Sequence, residues 1–358
     1  MVQSNNIFDL KVDGETRDPD VEKNCTAWDT LIAEKFHHGR FENIYNWLSP
    51  EYVWHGPGGW LSKASDDFID LIKEARKGVP DIRFTNQLIG SGNMVANLWS
   101  VTGTHKGDYI GIPATGNRIA YAGIALGRFD NGRLIEEWEL WDTLALAQSL
   151  GVTDSSGGDA YLFDVLQKKS KDALVKHQPY NFMQDTSYSS PCGLLYPTSA
   201  ASVNNLSAQV ALNISSWTTY IKSLFGGDVF VEGDLSVSNK QPESHDLRID
   251  ADTGDNRFAG WPVDVMRTIF PDLQCTARSF GEGDYVACHI AWEGTHTGEL
   301  EKVPATGHKV CFTSISIAKF NADNQLEHHW DVIEDITLLQ QIGVSVKDKT
   351  QNLLKVFN

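Results

Sequence analysis

GTHKGDYIGIPATG, residues 103–116, and GTHTGELEKVPATG, residues 294–307, are one phrase written twice. His105 and His296 stand 191 positions apart, and Pro113 and Pro304, Gly116 and Gly307, and Phe129 and Phe320 keep that offset. Trp138 and Trp330, and Gly151 and Gly343, are 192 apart. The added residue falls where Asp130-Asn131-Gly132 gives way to Asn321-Ala322-Asp323-Asn324, a turn, and turns tolerate insertion. Matches at one spacing on both sides of a slip confined to a turn identify a tandem duplication.

Two copies of one unit fit the length. At 358 residues the chain exceeds what one hydrophobic core usually serves, and two domains of about 150 residues are the natural division. The expected organisation is a first domain over 1–152, a connector over 153–204 holding one helix, and a second domain over 205–358. Hydrophobic residues at 41% and charged residues at 22% are those of an ordinary globular protein. The net charge of −17 opposes nucleic acid and anionic membrane surfaces by like-charge repulsion and leaves room for a neutral or weakly charged small molecule; the expected partner is a small hydrophobic one. Cys25, Cys192, Cys275, Cys288 and Cys311 form no CxxC pair, and their odd number argues for reduced thiols over a disulfide framework. The stretch MVQSNNIFDLKVDGETRD has neither a basic n-region nor an apolar h-region, and no run of about 18 apolar residues is present to span a bilayer. The expectation is a soluble, cytoplasmic protein.

In each half helices come first and strands follow. Trp28, Leu31, Ile32 and Phe36 recur at helical spacing up to a break at Gly39, and Ile44, Trp47 and Leu48 resume it. A short strand over Glu51–Pro57 precedes an amphipathic helix from Ser65 to Lys77, which Gly78 and Pro80 end. Residues 82–89, 94–104, 117–129 and 133–142 are rich in β-branched and aromatic side chains and separated by Gly or Asn turns, the pattern of a meander. In the second half, helices are expected over 210–225 and 262–270 and strands over 243–249, 285–295, 309–320 and 325–334. The fold class is therefore α+β: a curved antiparallel sheet with helices over its concave face, a half-open cone that leaves a pocket.

The last strand of each half carries the acids. Trp138, Leu140 and Asp142 share one face and Glu137, Glu139 and Trp141 the other; in the second half Trp330, Val332 and Glu334 oppose His329, Asp331 and Ile333. Either face sets a carboxylate beside a large apolar ring, where desolvation raises a carboxyl pKa toward the range useful to a general acid or base. Alternation does not choose the face that looks inward. His105 and His296 lie between glycines, so the chain can turn sharply there and present an imidazole to orient a carboxylate or donate to a substrate oxygen, or to hold the turn itself. His55 on the first short strand, with His245 or Asp246 as its counterpart, is a weaker candidate. The adjacent His328 and His329 point to opposite faces of a strand, which suits no shared metal, and neither a metal, a nucleophile nor a phosphate-binding motif is found in the sequence. No cofactor is expected.

With these residues in view, the series GTHKGDYIGIPATG followed by RFDNGRLIEEWELWDTLALAQSLG over Arg128–Gly151 resembles the SnoaL-like polyketide cyclase family, within the nuclear transport factor 2-like (cystatin-like) superfamily. The resemblance covers about 80–151 and 271–343. It implies two tandem cone-shaped α+β barrels and, in the founding cyclases, a cofactor-free intramolecular aldol condensation in which an aspartate near the end of the last strand moves the proton. Asp142 best matches that position, with Glu139 as the near alternative and His105 as a neighbouring donor. In the second half Glu334 stands where Asp142 stands, with Asp331 nearby, so the first half is the expected active one. The duplication also implies that one chain supplies an intramolecular pseudo-dimer, with room for further homo-oligomerisation. A hydrophobic-ligand binder without catalysis, and a pair of halves of which the second is structural, remain the alternative functions.

Overall fold

The computed structural model describes residues 17–57, 60–62, 65–109, 112–151, 207–225, 243–245, 248–249, 256–257, 263–300, 303–334, 337–338 and 341–343. The connector at 153–204 and its expected helix lie outside them.

In the first half, helix α1 (Pro19–Ile32) opens with Asp18 accepting the amides of Asp20 and Val21, and with Pro19 in the first turn, where an amide would have no helical partner. It buries Val21, Cys25, Trp28 and Ile32 along one stripe. The helix widens into a π-turn over Ala33–His38, closed by Gly39 at φ 65°. Strands β1 (Leu48–Gly56) and β2 (Trp60–Ser62), helix α2 (Ser65–Gly78), strands β3 (Arg83–Ser91), β4 (Met94–Thr104), β5 (Arg118–Asp130) and β6 (Arg133–Trp141), and helix α3 (Thr143–Ser149) follow. The sheet order is β2-β1-β6-β5-β4-β3. All neighbours are antiparallel except β1 and β6, which run parallel with His55 opposite Trp138. Asn131 and Gly132 both take positive φ in the β5–β6 turn, as a two-residue hairpin loop requires.

The second half repeats the plan with helix α4 (Ala208–Phe225), strands β7 (Glu243–His245), β8 (Arg248–Ile249) and β9 (Asn256–Arg257), helix α5 (Val263–Ile269), and strands β10 (Gln274–Glu282), β11 (Tyr285–Thr295), β12 (Lys309–Phe320) and β13 (Leu326–Ile333). Its sheet runs β10-β11-β12-β13-β7, and β7 lies parallel to β13 with His245 opposite Trp330. That register makes His245 the counterpart of His55. Strand β10 has no expectation behind it. Its sequence QCTARSFGE neither alternates cleanly nor clusters apolar residues, and it is held by antiparallel pairing to β11 along its whole length.

Each sheet buries both faces. On the concave side of the first, Trp99, Val101, Ile119, Tyr121 and Ala125 pack against α1 and α2. From the other side Ile89, Leu98, Ile124, Trp138 and Leu140 join Phe280, Tyr285, Ile315, Ile317, Trp330 and Val332 of the second half in one buried cluster. Two covered faces explain why β4 and β5 read as near-continuous apolar runs. At one edge of the contact the Arg17 guanidinium donates to Glu282 at 2.6 Å, and the other Glu282 oxygen accepts the Gly90 amide at 2.7 Å.

Cys25, Cys275 and Cys288 are buried free thiols, in keeping with the expectation for them, whereas Cys311 is disulfide-bonded and corrects it. No helix among the described residues is long and apolar enough to cross a membrane.

Candidate active site

The concave face of the first sheet, the π-turn of α1 and the inner side of α2 enclose a cavity of about 120 Å³. Its walls are aromatic, with Phe36, Phe68, Phe84, Trp99 and Trp141 among them, and its polar groups are few: Lys35, Asn97, Tyr109, Tyr121, Glu137 and Glu139 stand out. Trp99 fits because Gly123 lies beneath it; a Cβ at Gly123 would come within 2.4 Å of the indole and 2.5 Å of the Leu140 carbonyl. The side-chain parity of β6 thus resolves in favour of Glu137, Glu139 and Trp141 facing inward, while Trp138 and Leu140 face the other sheet.

Burial dominates the electrostatics of the two inward acids. Glu137 is 4% exposed and accepts the Tyr52 hydroxyl at 2.5 Å. Desolvation raises its pKa against the opposing pull of Lys35 and Tyr52. Glu139 accepts the Trp54 indole N–H at 2.9 Å, and Trp54 stacks on Trp141 at 15°. Desolvation, and then the neighbouring Glu137 charge, push the Glu139 carboxyl up to about 8. Burial pulls the Lys35 ammonium down to about 8, with Glu137 and Glu139 resisting. The buried hydroxyls of Tyr109 and Tyr121 are hydrogen-bonded to each other, and burial raises both. The indole nitrogens of Trp99 and Trp141 are buried in the walls with no hydrogen-bond partner among the described residues, which leaves two donors for a guest.

The other expected residues sit elsewhere. Asp142 follows the strand and caps α3, its Oδ1 accepting the Ala145 amide at 2.8 Å. His105 is wholly buried, and its Nδ1 meets Thr115 Oγ1 at 2.9 Å and accepts the Thr115 amide at 3.4 Å, which locks the GTH and PAT segments together. Its ring lies 6.5 Å from that of Tyr109, so it supports the cavity from behind. His55 belongs to the opposite face: it stacks on Trp138 at 3° and bonds Glu136 at 2.9 Å. Glu136 also takes Arg128 at 2.6 Å; burial lifts its carboxyl, but His55 and Arg128 outweigh burial and hold it below the ordinary range.

Lys35, Tyr52, Trp54, Trp99 and Glu137 were not among the sequence candidates. Tyr52 and Trp54 could have been found from the two-residue period of β1 once its pairing with β6 was known. Lys35 could not, because the π-turn breaks the 3.6-residue period that would place it.

The second half keeps the frame and changes the contents. Glu334 repeats the cap, its Oε1 accepting the Thr337 amide, and His296 repeats the lock, with Nδ1 2.9 Å from Thr306 Oγ1. Asp331 occupies the Glu139 position and His329 the Glu137 position, the latter with its ring 5.7 Å from Trp217. Ser314 and Ser316 replace Gly123 and Ala125. Ser316 donates to Asp331 at 2.5 Å and Ser314 accepts the Trp292 indole N–H at 2.9 Å, so these polar groups are satisfied within the protein. Burial still raises the Asp331 carboxyl to about 6.

Comparison with known proteins follows the same division. Among solved structures, AclR from Streptomyces galilaeus is 22% identical, aligned over 37% of this chain and 98% of its own, with a TM-score of 0.34. IdmH from Streptomyces antibioticus is 23% identical over 36% and 98%, with a TM-score of 0.33. A SnoaL-like polyketide cyclase from Agrobacterium tumefaciens is 15% identical over 36% and 98%, with a TM-score of 0.31. No curated protein matched. The family model described as SnoaL-like polyketide cyclase matches at two separate segments, residues 26–150 and 258–342, which together exceed half of the chain. With its duplicated cone and twice-matched model, the chain belongs to the SnoaL-like polyketide cyclase family.

Proposed function

We propose that the first cavity takes a small hydrophobic carbonyl compound and moves a proton on the carbon beside its carbonyl without a cofactor, as in an intramolecular aldol cyclisation or a related proton transfer. The observation that carries this reading is Glu139, a carboxyl among aromatic walls, positioned by Trp54 and pushed up to about 8. A group that titrates near neutrality can both take and return a proton. The unpartnered indole N–H groups of Trp99 and Trp141 would face the negative charge that develops on the carbonyl oxygen, in a site from which aromatic side chains exclude water. The walls would hold the two reacting carbons together.

The second half acts as the structural partner, a covalent stand-in for the other subunit of a dimer. Its corresponding acid, Asp331, already has Ser316 as a partner, and isoleucines, Ile290 and Ile333, stand where Trp99 and Trp141 offer indole donors, which favours this division of labour.

The test follows the α-proton of a small aryl methyl ketone in deuterated buffer by NMR, which needs no knowledge of the natural substrate. Wild-type protein should accelerate exchange, and Glu139→Gln should slow it by about 10²-fold or more. Trp99→Phe should cost about tenfold through the lost donor. Equal exchange in wild type and Glu139→Gln would remove the proposal, and saturable binding without exchange would indicate a carrier of such compounds.

A further inference from the structure

Lys35 has no part in the proton transfer proposed for Glu139. A lysine ordinarily buries its methylenes and keeps its ammonium in water, yet Lys35 is 1% exposed and lines the cavity. No hydrogen bond or ion pair reaches its Nζ among the described residues; its near neighbours are rings, with the nitrogen 4.6 Å from the Phe68 centroid and 5.3 Å from that of Phe36. Glu137 and Glu139 act on it through space, without an ion pair. It projects from the π-turn, the one stretch where α1 leaves regular geometry, and such turns recur at functional sites.

The duplicated fold does not need this lysine. Val21, Asn24 and Trp28 of α1 and Phe36 of the π-turn match Val210, Asn213, Trp217 and Phe225 of α4 at one spacing, and Leu224 stands at the Lys35 position. The alignment is physical as well as textual: Asn24 donates to the Gly92 carbonyl at 3.4 Å, and Asn213 to the Gly283 carbonyl at 3.3 Å.

We propose that Lys35 is a nucleophilic amine that condenses with the carbonyl carbon of a ketone or 1,3-diketone held in the first cavity, forming an imine. This rests on the reading of that cavity as a carbonyl-compound site. The neutral amine attacks the carbonyl carbon, forming the C–N bond. Protonated Glu139 gives its proton to the resulting alkoxide and takes one from the nitrogen, leaving a carbinolamine. The same carboxyl then protonates the hydroxyl, the C–O bond breaks, one water leaves, and an iminium remains opposite the Glu139 carboxylate. Removal of an α-proton by that carboxylate gives an enamine, and addition of one water reverses the sequence. No electron is gained or lost. Burial supports the first step: with the amine pulled down to about 8, on the order of a tenth of it is neutral at pH 7, far more than for an exposed lysine.

The experiment uses the full chain and acetylacetone. The expected result is an intact-mass gain of one diketone less one water, mapped by peptide mass spectrometry to Lys35, with the near-ultraviolet band of an enaminone. Lys35 should react at least about tenfold faster than any other lysine, and Lys35→Met should lose the band. The mapping is decided on wild type alone, so a variant that folds poorly does not blunt it. Tryptophan quenching by the same diketone reports occupancy independently. Quenching without an adduct, or an adduct spread evenly over surface lysines, overturns the role of Lys35 and leaves the cavity reading standing. Neither quenching nor adduct overturns both.

Discussion

Glu139 and Asp142 are three residues apart in sequence and do different work because their surroundings differ. Asp142 ends a strand and starts a helix, so its carboxylate is occupied by the Ala145 amide. Asp142→Ala should cost about 1 kcal/mol in denaturant unfolding, whereas Asp142→Asn, also a good cap, should cost little. Glu139 is held in an apolar wall, and its raised pKa has two consequences of opposite sense. Proton abstraction needs the carboxylate, so the α-proton exchange rate should climb with pH and level off above about 8, a limb that Glu139→Gln would lack. Stability runs the other way. The folded state holds the Glu139 proton more tightly than the unfolded state, so this residue stabilises most at low pH, and its contribution declines between the ordinary carboxyl pKa of 4.5 and about 8. Urea titrations across that window should show a flatter profile for Glu139→Gln than for wild type.

Between elements, the cavity depends on one glycine. β5 passes under Trp99 at Gly123, and the second half has Ser314 there with Ile290 in place of the tryptophan. Gly123→Ser should therefore push the indole away, destabilise the fold by about 1–3 kcal/mol and weaken ketone binding, read by thermal unfolding and tryptophan quenching. The same comparison shows what a sequence discloses. The frame was legible because its determinants are local: Gly116 and Gly307 at positive φ, the Asn131-Gly132 hairpin, and the duplicated apolar periods. The inward face of β6 was not, because alternation fixes which residues share a face and leaves open which face meets the helices and which the other sheet. β10 went unseen because its place depends on backbone pairing with β11 more than on its own residues. Of the two acids that face the cavity, the sequence singles out Glu139, as the alternative to Asp142, and not Glu137, and Lys35 is hidden by a helix that changes its period midway.

At the scale of the whole chain, duplication turns the outer faces of two sheets into one shared core, and the exceptions within that core mark its weak points. His289 occupies the position of Leu98 in the other half, 2% exposed, with its ring 6.4 Å from Trp138. Burial, reinforced by the nearby His55 and Arg278, pulls its pKa down to about 3. The folded protein therefore keeps this imidazole neutral while the unfolded chain protonates it near the ordinary 6.5, so folding loses free energy as pH falls from about 6.5 toward about 3. The slope is at most ~1.4 kcal/mol per pH unit for one proton. Glu136, whose carboxyl His55 and Arg128 hold low against burial, adds acid sensitivity of its own below the carboxyl range, whereas Glu139 and Asp331, whose carboxyls burial raises, gain stability as pH falls through their own windows and oppose the histidine there. The diagnostic is thus a difference and not a single curve. His289→Leu, which installs the residue of the first half, should unfold at higher denaturant than wild type below pH 6, with the gap closing above pH 7. A gap independent of pH would mean that the leucine simply packs better and that the histidine does not sense protons between the sheets.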